Sequence, residues 1–426
     1  MLQRGGEWLR RRGPKDGQTG LARLARWAAV LLAVCQFARL LTVNSDRPEY
    51  HHFDEPNWIW VGCETWRHAA AGDWNGAFWR EEYSGWGAPN PQLGKLFIGA
   101  PVDFFLRINP DVTLHEFGNL NDPADKATWP DPRLYYPARV QAAIFTMLTA
   151  LLLVDLGTAL FGGGAALAAV LWFGTHPYVE VCSFRAMTDA CMAFGTMLAF
   201  WGLFRRQGWA RVLAVGVGLG WAAATRINGL LLVPVVALGL VMRERAEGRP
   251  GRAGIQALAI LVLAAALFFG TNPLLWQEPF EGLKTIFGHS AGPGPGLLTM
   301  GRLTLWGETF KGLFWDTCPT GELAGSSLFV RALRALALAY AVAVLIRSPH
   351  PDRRRFLACS ALLALLLVFG VPKLWERYFL PGLPMLSLLA GYGAVTFLRV
   401  VWPWIEETVR VGRRLESGDR GNAEGR

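Results

Sequence analysis

Long apolar runs separated by short, arginine-bearing turns dominate this chain. From Trp27 to Val43 the strongly polar residues are Gln36 and Arg39, and neither Ala253 to Leu275 nor Phe356 to Pro372 carries a charged side chain. Runs of this length suit the roughly 20 residues a helix needs to cross a hydrocarbon core about 30 Å thick. The pattern predicts helices near 24–43, 138–161, 164–181, 187–204, 209–224, 226–242, 254–275, 326–346, 356–372 and 377–400. The fold class is therefore an all-α integral membrane protein with about ten transmembrane helices. The stretches Pro56 to Ala71 and Leu93 to Leu106 are too short or too polar to span, and they read as juxtamembrane helices within a long first outer loop.

Basic residues orient the chain. With ten spans both ends fall on one side, together with Arg205, Arg206 and Arg211, Arg243, Arg245, Arg249 and Arg252, Arg347, Arg353, Arg354 and Arg355, and Arg410, Arg413 and Arg414. The positive-inside rule makes that side cytoplasmic. The layout is then a basic N-terminus (1–23), a membrane domain (24–400) with outer loops 44–137 and 276–325, and a cytoplasmic tail (401–426). The N-terminal Arg10-Arg11-Arg12 leads into a first helix without a small-residue cleavage site, which reads as an uncleaved anchor.

Composition agrees with the pattern: of 426 residues 52% are hydrophobic and 18% charged, too little charge for a soluble surface. The net charge of +9 follows from topology, because the arginines are spread over loops, and no nucleic-acid partner is expected. Cys35, Cys63, Cys182, Cys191, Cys318 and Cys359 have no CxxC spacing, so no zinc or redox site is expected, and spacing leaves a Cys63–Cys318 disulfide undecided. No cofactor is expected, and a divalent cation has no support in the sequence.

The candidate chemistry lies in the outer segments. Trp58, Trp60, Trp66, Trp74, Trp79, Trp86 and Trp129 crowd the first outer loop, as at a membrane interface. His51-His52-Phe53-Asp54-Glu55-Pro56 offers two carboxylates before a proline. Helix capping, with Glu55 as N-cap and Pro56 as first helical residue, accounts for one acid, while a general base suits the pair. Both readings stay open. Lys95 and Arg139 read either as lipid-headgroup anchors or as binding groups, and Arg185 and Asp189 either as an i,i+4 pair or as site residues. All these charges share one depth and one face, where ionisable groups are costly and usually functional.

On these residues the chain resembles the C-superfamily (GT-C) glycosyltransferases, in the branch of protein O-mannosyltransferases and aminoarabinose transferases that use lipid carriers. The resemblance is carried in order by Phe53-Asp54-Glu55, Ala71-Gly72-Asp73-Trp74, Asn90-Pro91-Gln92-Leu93-Gly94-Lys95, Pro137-Ala138-Arg139, Arg185-Ala186-Met187-Thr188-Asp189, Thr225-Arg226-Ile227-Asn228-Gly229-Leu230 and Glu376-Arg377-Tyr378-Phe379-Leu380-Pro381. The third of these is similar to a His-Pro-Pro-Leu-Gly-Lys segment of mannosyltransferases. Asn90 stands where those enzymes often carry His, and Gly94 stands where the aminoarabinose branch has Glu. The resemblance implies transfer of a sugar from a polyprenyl-phosphate carrier to a hydroxyl acceptor at the outer face of a bacterial inner (plasma) membrane, with inversion. It makes Asp54 the catalytic base, Lys95 and Arg139, with Arg185 beside them, the cations for the leaving phosphate, and Glu55 and Asp189 the groups that hold sugar hydroxyls or orient those cations. The Gly/Pro-rich Ala291 to Gly296 segment reads as a mobile gate. A transporter, or a noncatalytic protein that binds lipid carriers, is the alternative. Internal repeats would favour the transporter, and an Asp54→Asn change without effect would favour the noncatalytic binder.

Overall fold

A computed structural model describes residues 16–42, 54–74, 77–80, 90–115, 130–291, 328–370 and 376–423, with a few positions between 304 and 311. His51, His52, Phe53, Trp86, Trp129, the 292–296 stretch and Cys318 lie outside the described residues. Among the described residues every regular element is helical.

In chain order the main helices are α1 (Asp16–Thr42), α2 (Glu55–Ala71), α3 (Leu93–Ile108), α4 (Tyr135–Phe161), α5 (Gly163–Gly174), α6 (Pro177–Cys182) and α7 (Asp189–Arg205). They continue as α8 (Gly208–Thr225), α9 (Leu232–Ala246), α10 (Pro250–Gly270), α11 (Pro279–Ala291), α12 (Leu328–Ile346), α13 (Pro351–Gly370) and α14 (Leu383–Ala423). By length and composition five stretches suit a membrane span: Pro132–Phe161, Ile227–Ala246, Gly251–Gly270, Leu328–Ile346 and Leu383–Arg410. Their outward faces are apolar and exposed, as with Ile255 and Leu258 on α10 and Phe329 and Leu336 on α12, which is how a helix meets lipid rather than water.

Three elements depart from the sequence pattern. The run at 164–181 breaks after Gly174: Pro177 cannot continue a helix, and His176 caps the new one by accepting the Tyr178 N–H. The run at 226–242 opens as a 3-10 turn, Ile227–Leu231, before α9 begins. The last helix does not stop at 400 but continues to Ala423, past Pro403.

α4 is the pillar of the bundle, packed against α1, α3, α5 and α7, while α8 lies between α7 and α10, and α14 packs on α5 and α12. Small residues set the closest approaches. A Cβ on Gly195 or Gly218 would run into the backbone of the facing helix, so α7 and α8 touch main chain to main chain. The juxtamembrane pair α2 and α3 crosses the same way at Gly62 and Gly99. α2 ends at Gly72 in the left-handed region, φ 71°, where the Gly72 and Asp73 amides return to the Ala69 and His68 carbonyls. Trp58, Trp60 and Trp79 are buried in this unit, packed as core and not spread along an interface.

The arginine-rich turns gather at one end of the bundle. Arg205 pairs with Asp155 at 3.0 Å, Arg353 donates to the Leu160 carbonyl at 2.7 Å, and Arg243 donates to the Leu203 carbonyl at 3.2 Å. Not all of them serve topology alone: Arg211 is buried and held by a buried Glu244 at 2.9 Å. The orientation has a direct measurement. Single cysteines at Asn121 and Gly294 should react with a membrane-impermeant thiol reagent added outside, and cysteines at Glu247 and Asp352 should not. Labelling of Glu247→Cys in sealed vesicles would invert the orientation.

Candidate functional site

At the opposite end, the N-termini of α2, α3 and α4 meet the bend before α7 and the turn before α9. Asp54 occupies the N-cap position of α2 with helical dihedrals and no side-chain capping bond, and Glu55 is the first helical residue. The capping role expected of Glu55 is therefore absent. Its carboxylate instead takes a two-pronged grip from Arg139, Nε to Oε1 at 2.9 Å and Nη2 to Oε2 at 2.8 Å, and accepts the Ala186 N–H at 2.7 Å. All of this is buried, with Glu55 at 0% and Arg139 at 2% exposure. The Arg139 guanidinium also lies 5.0 Å from the Tyr135 ring centroid. Arg139 is thus neither a headgroup anchor nor an exposed cation.

The bend at 183–188 is fixed from α4 as well, through Gln141 Nε2 to the Met187 carbonyl at 2.8 Å. Arg185 sits in this bend, half-buried. The expected Arg185–Asp189 pair is not formed: Asp189, the first residue of α7, pairs with Arg226 at 3.2 Å. An i,i+4 contact needs a continuous helical turn between its two residues, and α7 begins only at Asp189. Arg226 also donates Nε to Thr188 Oγ1 at 2.9 Å, and lies over the rings of Trp58 and Tyr378 at 5.8 and 5.2 Å. Trp58 stands one turn after Asp54, whose carbonyl accepts its amide at 3.1 Å. Arg226 is the site residue that sequence reasoning missed. The signal was a lone arginine at the start of a predicted span, within a segment already singled out.

α3 supplies the remaining cation. Lys95 is fully buried, and its Nζ donates to Gln92 Oε1 at 3.0 Å and to the Asn90 carbonyl at 3.1 Å. Desolvation pushes its ammonium well below the ordinary lysine value. The preceding Gly94 has no room for a side chain: a Cβ there would strike Thr188 and come within 3.1 Å of Thr225 Cγ2. The lysine turn is thereby wedged against the two residues that precede Asp189 and Arg226. Asp54, itself 0% exposed, completes the cluster. A buried carboxylate, two carboxylate–guanidinium pairs and a buried ammonium converge from five segments. Among the described residues no three His, Cys, Asp or Glu side chains gather as a metal-binding set.

Residues 91–246 match the family model described as dolichyl-phosphate-mannose-protein mannosyltransferase, and this segment holds Lys95, Arg139, Arg185, Asp189 and Arg226. Two solved structures share the fold. ArnT from Cupriavidus metallidurans in the apo state aligns with TM-score 0.56 and 16% identity over 89% of this chain and 60% of that one. The same protein bound to undecaprenyl phosphate aligns with TM-score 0.54 and 15% identity over 88% and 60%. The chain thus spans about 60% of the length of these structures. No curated protein matches it in sequence. The family model covers the segment that holds the site, and the two solved structures share the fold over 88–89% of this chain.

Proposed function

We propose that this chain is a membrane glycosyltransferase that moves a sugar from a polyprenyl-phosphate carrier to a hydroxyl acceptor at the extracytoplasmic face of a bacterial inner membrane. The observation that carries the reading is the buried convergence of Asp54, Lys95 and the two ion pairs at one end of a membrane fold, with the arginine-rich turns at the other. In the reaction the acceptor oxygen attacks the anomeric carbon as the bond from that carbon to the phosphate oxygen breaks. The acceptor proton passes to the Asp54 carboxylate, and the carrier leaves as an anionic phosphate met by the Lys95 ammonium. One direct displacement inverts the anomeric centre.

The geometry redistributes the other roles. Glu55 holds Arg139, and Asp189 holds Arg226, so both acids orient cations instead of binding sugar hydroxyls. Arg139 keeps its expected place beside the phosphate only as the partner that fixes Glu55, and with it Asp54. Arg226, held against two aromatic rings, joins Lys95 as a phosphate-side cation, and Arg185 stands at the rim. The solved complex of ArnT with undecaprenyl phosphate supports a carrier of this class. Membrane lipids flank the carrier tail between helices.

The test is sugar transfer or release from a polyprenyl-phosphate donor by the detergent-purified chain. Lys95→Ala should lower kcat/KM by about a hundredfold or more, the usual loss when one preorganised charge-stabilising donor is removed. Full activity of a folded Lys95→Ala protein would remove the lysine from the phosphate site. Absence of transfer with every polyprenyl-phosphate sugar tried, while the carrier still binds, would favour a noncatalytic binder.

A further inference from the structure

The turn that carries Lys95 is held from a distant part of the chain. Asn272, just beyond the end of α10 and 1% exposed, accepts the Gln92 backbone N–H on Oδ1 at 3.0 Å across 180 residues. Its Nδ2 donates to the Phe268 carbonyl one turn back in α10. That second bond fixes the amide's orientation: flipped, Asn272 would present N–H to N–H and oxygen to oxygen. Gln92 is the N-cap residue of α3, and its carbonyl accepts the Lys95 N–H at 3.0 Å while its Oε1 accepts the Lys95 ammonium. Its Nε2 closes the turn on the Asn90 carbonyl at 2.8 Å.

We propose that Asn272 and Gln92 form an amide relay that sets the position of the Lys95 ammonium, making the outer end of α10 part of the machinery that places this cation. Without the relay a buried Gln92 N–H loses its acceptor, and the turn must rearrange to find another. The partners of Lys95 in the relay are the Gln92 Oε1 and the Asn90 carbonyl, two neutral oxygens that fix where its Nζ stands. The departure at Gln92 from the Pro-Pro form of the family segment has a consequence of its own. Proline has no N–H, so only a chain with a non-proline residue at 92 can be gripped by Asn272. Asn272 and Gln92 are positioning residues: they touch the lysine and the turn, not the substrate. The functional value of the relay rests on the reading of Lys95 as the phosphate's cation, and two different measurements separate the two claims.

The first measurement is the rate at which an amine-acylating reagent modifies Lys95 in the folded, detergent-purified full chain, read at that residue by mass spectrometry. Asn272→Ala should speed this modification several-fold. Gln92→Pro removes the same hydrogen bond from the other side together with the side chain whose Oε1 accepts from Lys95, so it should speed the modification at least as much. The double variant should do no more than Gln92→Pro alone, because the bond is already gone. The second measurement is binding of a polyprenyl phosphate without sugar, beside the KM of the sugar-charged donor. Asn272→Ala should weaken carrier binding and raise KM about tenfold, the weight of one hydrogen bond, with kcat changed less, and Gln92→Pro should do at least as much. Unchanged Lys95 modification in folded Asn272→Ala, or effects that add in the double variant, would overturn the relay. Faster modification with unchanged carrier binding would leave the relay standing and overturn the phosphate role of Lys95.

Discussion

Asp54→Asn should lower turnover by roughly two to four orders of magnitude while leaving the fold intact. The substitution is nearly isosteric and removes the carboxylate charge and with it the capacity to accept a proton. Asp54 makes no side-chain cap to α2, so helix stability has little to lose. Glu55→Gln should behave differently, because Glu55 is bound on both oxygens by Arg139 and also receives the Ala186 amide. Its loss should appear first as lower stability, and as a catalytic defect only through displacement of the neighbouring aspartate. The measurement is sugar release from a polyprenyl-phosphate donor, with a thermal melt on the same preparation. A fully active Asp54→Asn protein would end the assignment of the base.

The second large effect is expected at Arg139. Replacing it by Met leaves the buried Glu55 carboxylate without the guanidinium that grips both its oxygens. Breaking a buried ion pair from one side costs about 3–5 kcal/mol, since the surviving charge has lost the partner that offset its desolvation. The Arg139→Met protein should therefore melt far below the parent, or fail to survive extraction. Adding Glu55→Gln to it should restore part of the loss, because an amide tolerates burial better than an orphaned carboxylate. An unchanged melting temperature with loss of carrier binding would show that the guanidinium serves the phosphate and not the glutamate.

The helices were legible because lipid imposes a strong pattern: an apolar run of some twenty residues has little use outside a bilayer, and α4, α10, α12 and α13 fall near their expected places. The break at Gly174–Pro177 was written in the residues, but the apolar content around it outweighed one proline. That Asp54, Glu55, Lys95, Arg139 and Asp189 gather at one end of the bundle was legible, since charges near helix ends have few places to go. Their pairing was not legible. Glu55 lies 84 positions from Arg139, and Asp189 lies 37 from Arg226, so the nearer candidates, a helix cap and Arg185, looked sufficient. Local rules propose local partners, whereas a buried carboxylate takes whichever cation the core shared by α2, α3 and α4, or α7 beside α9, brings to it. Asn272 was invisible for the same reason: nothing around an asparagine at the end of an apolar helix points to a turn 180 residues earlier.

The grip on Glu55 also imposes an order on how the protein is made. The carboxylate leaves the ribosome early, but its arginine follows 84 residues later and the Ala186 amide 131 residues later. Until α4 has been inserted, Glu55 has no guanidinium to bury against, and the N-terminus of α2 must wait in water or at the headgroup layer. The site therefore closes in chain order as the chain emerges: first Arg139, then the bend and Asp189, then Arg226, then Asn272 behind the lysine turn, and last Tyr378 against Arg226. A nascent chain stalled before residue 139 should leave α2 open to protease, and one released after residue 272 should protect it. For a membrane protein with buried ion pairs, translation sets the schedule on which its charged end becomes dry.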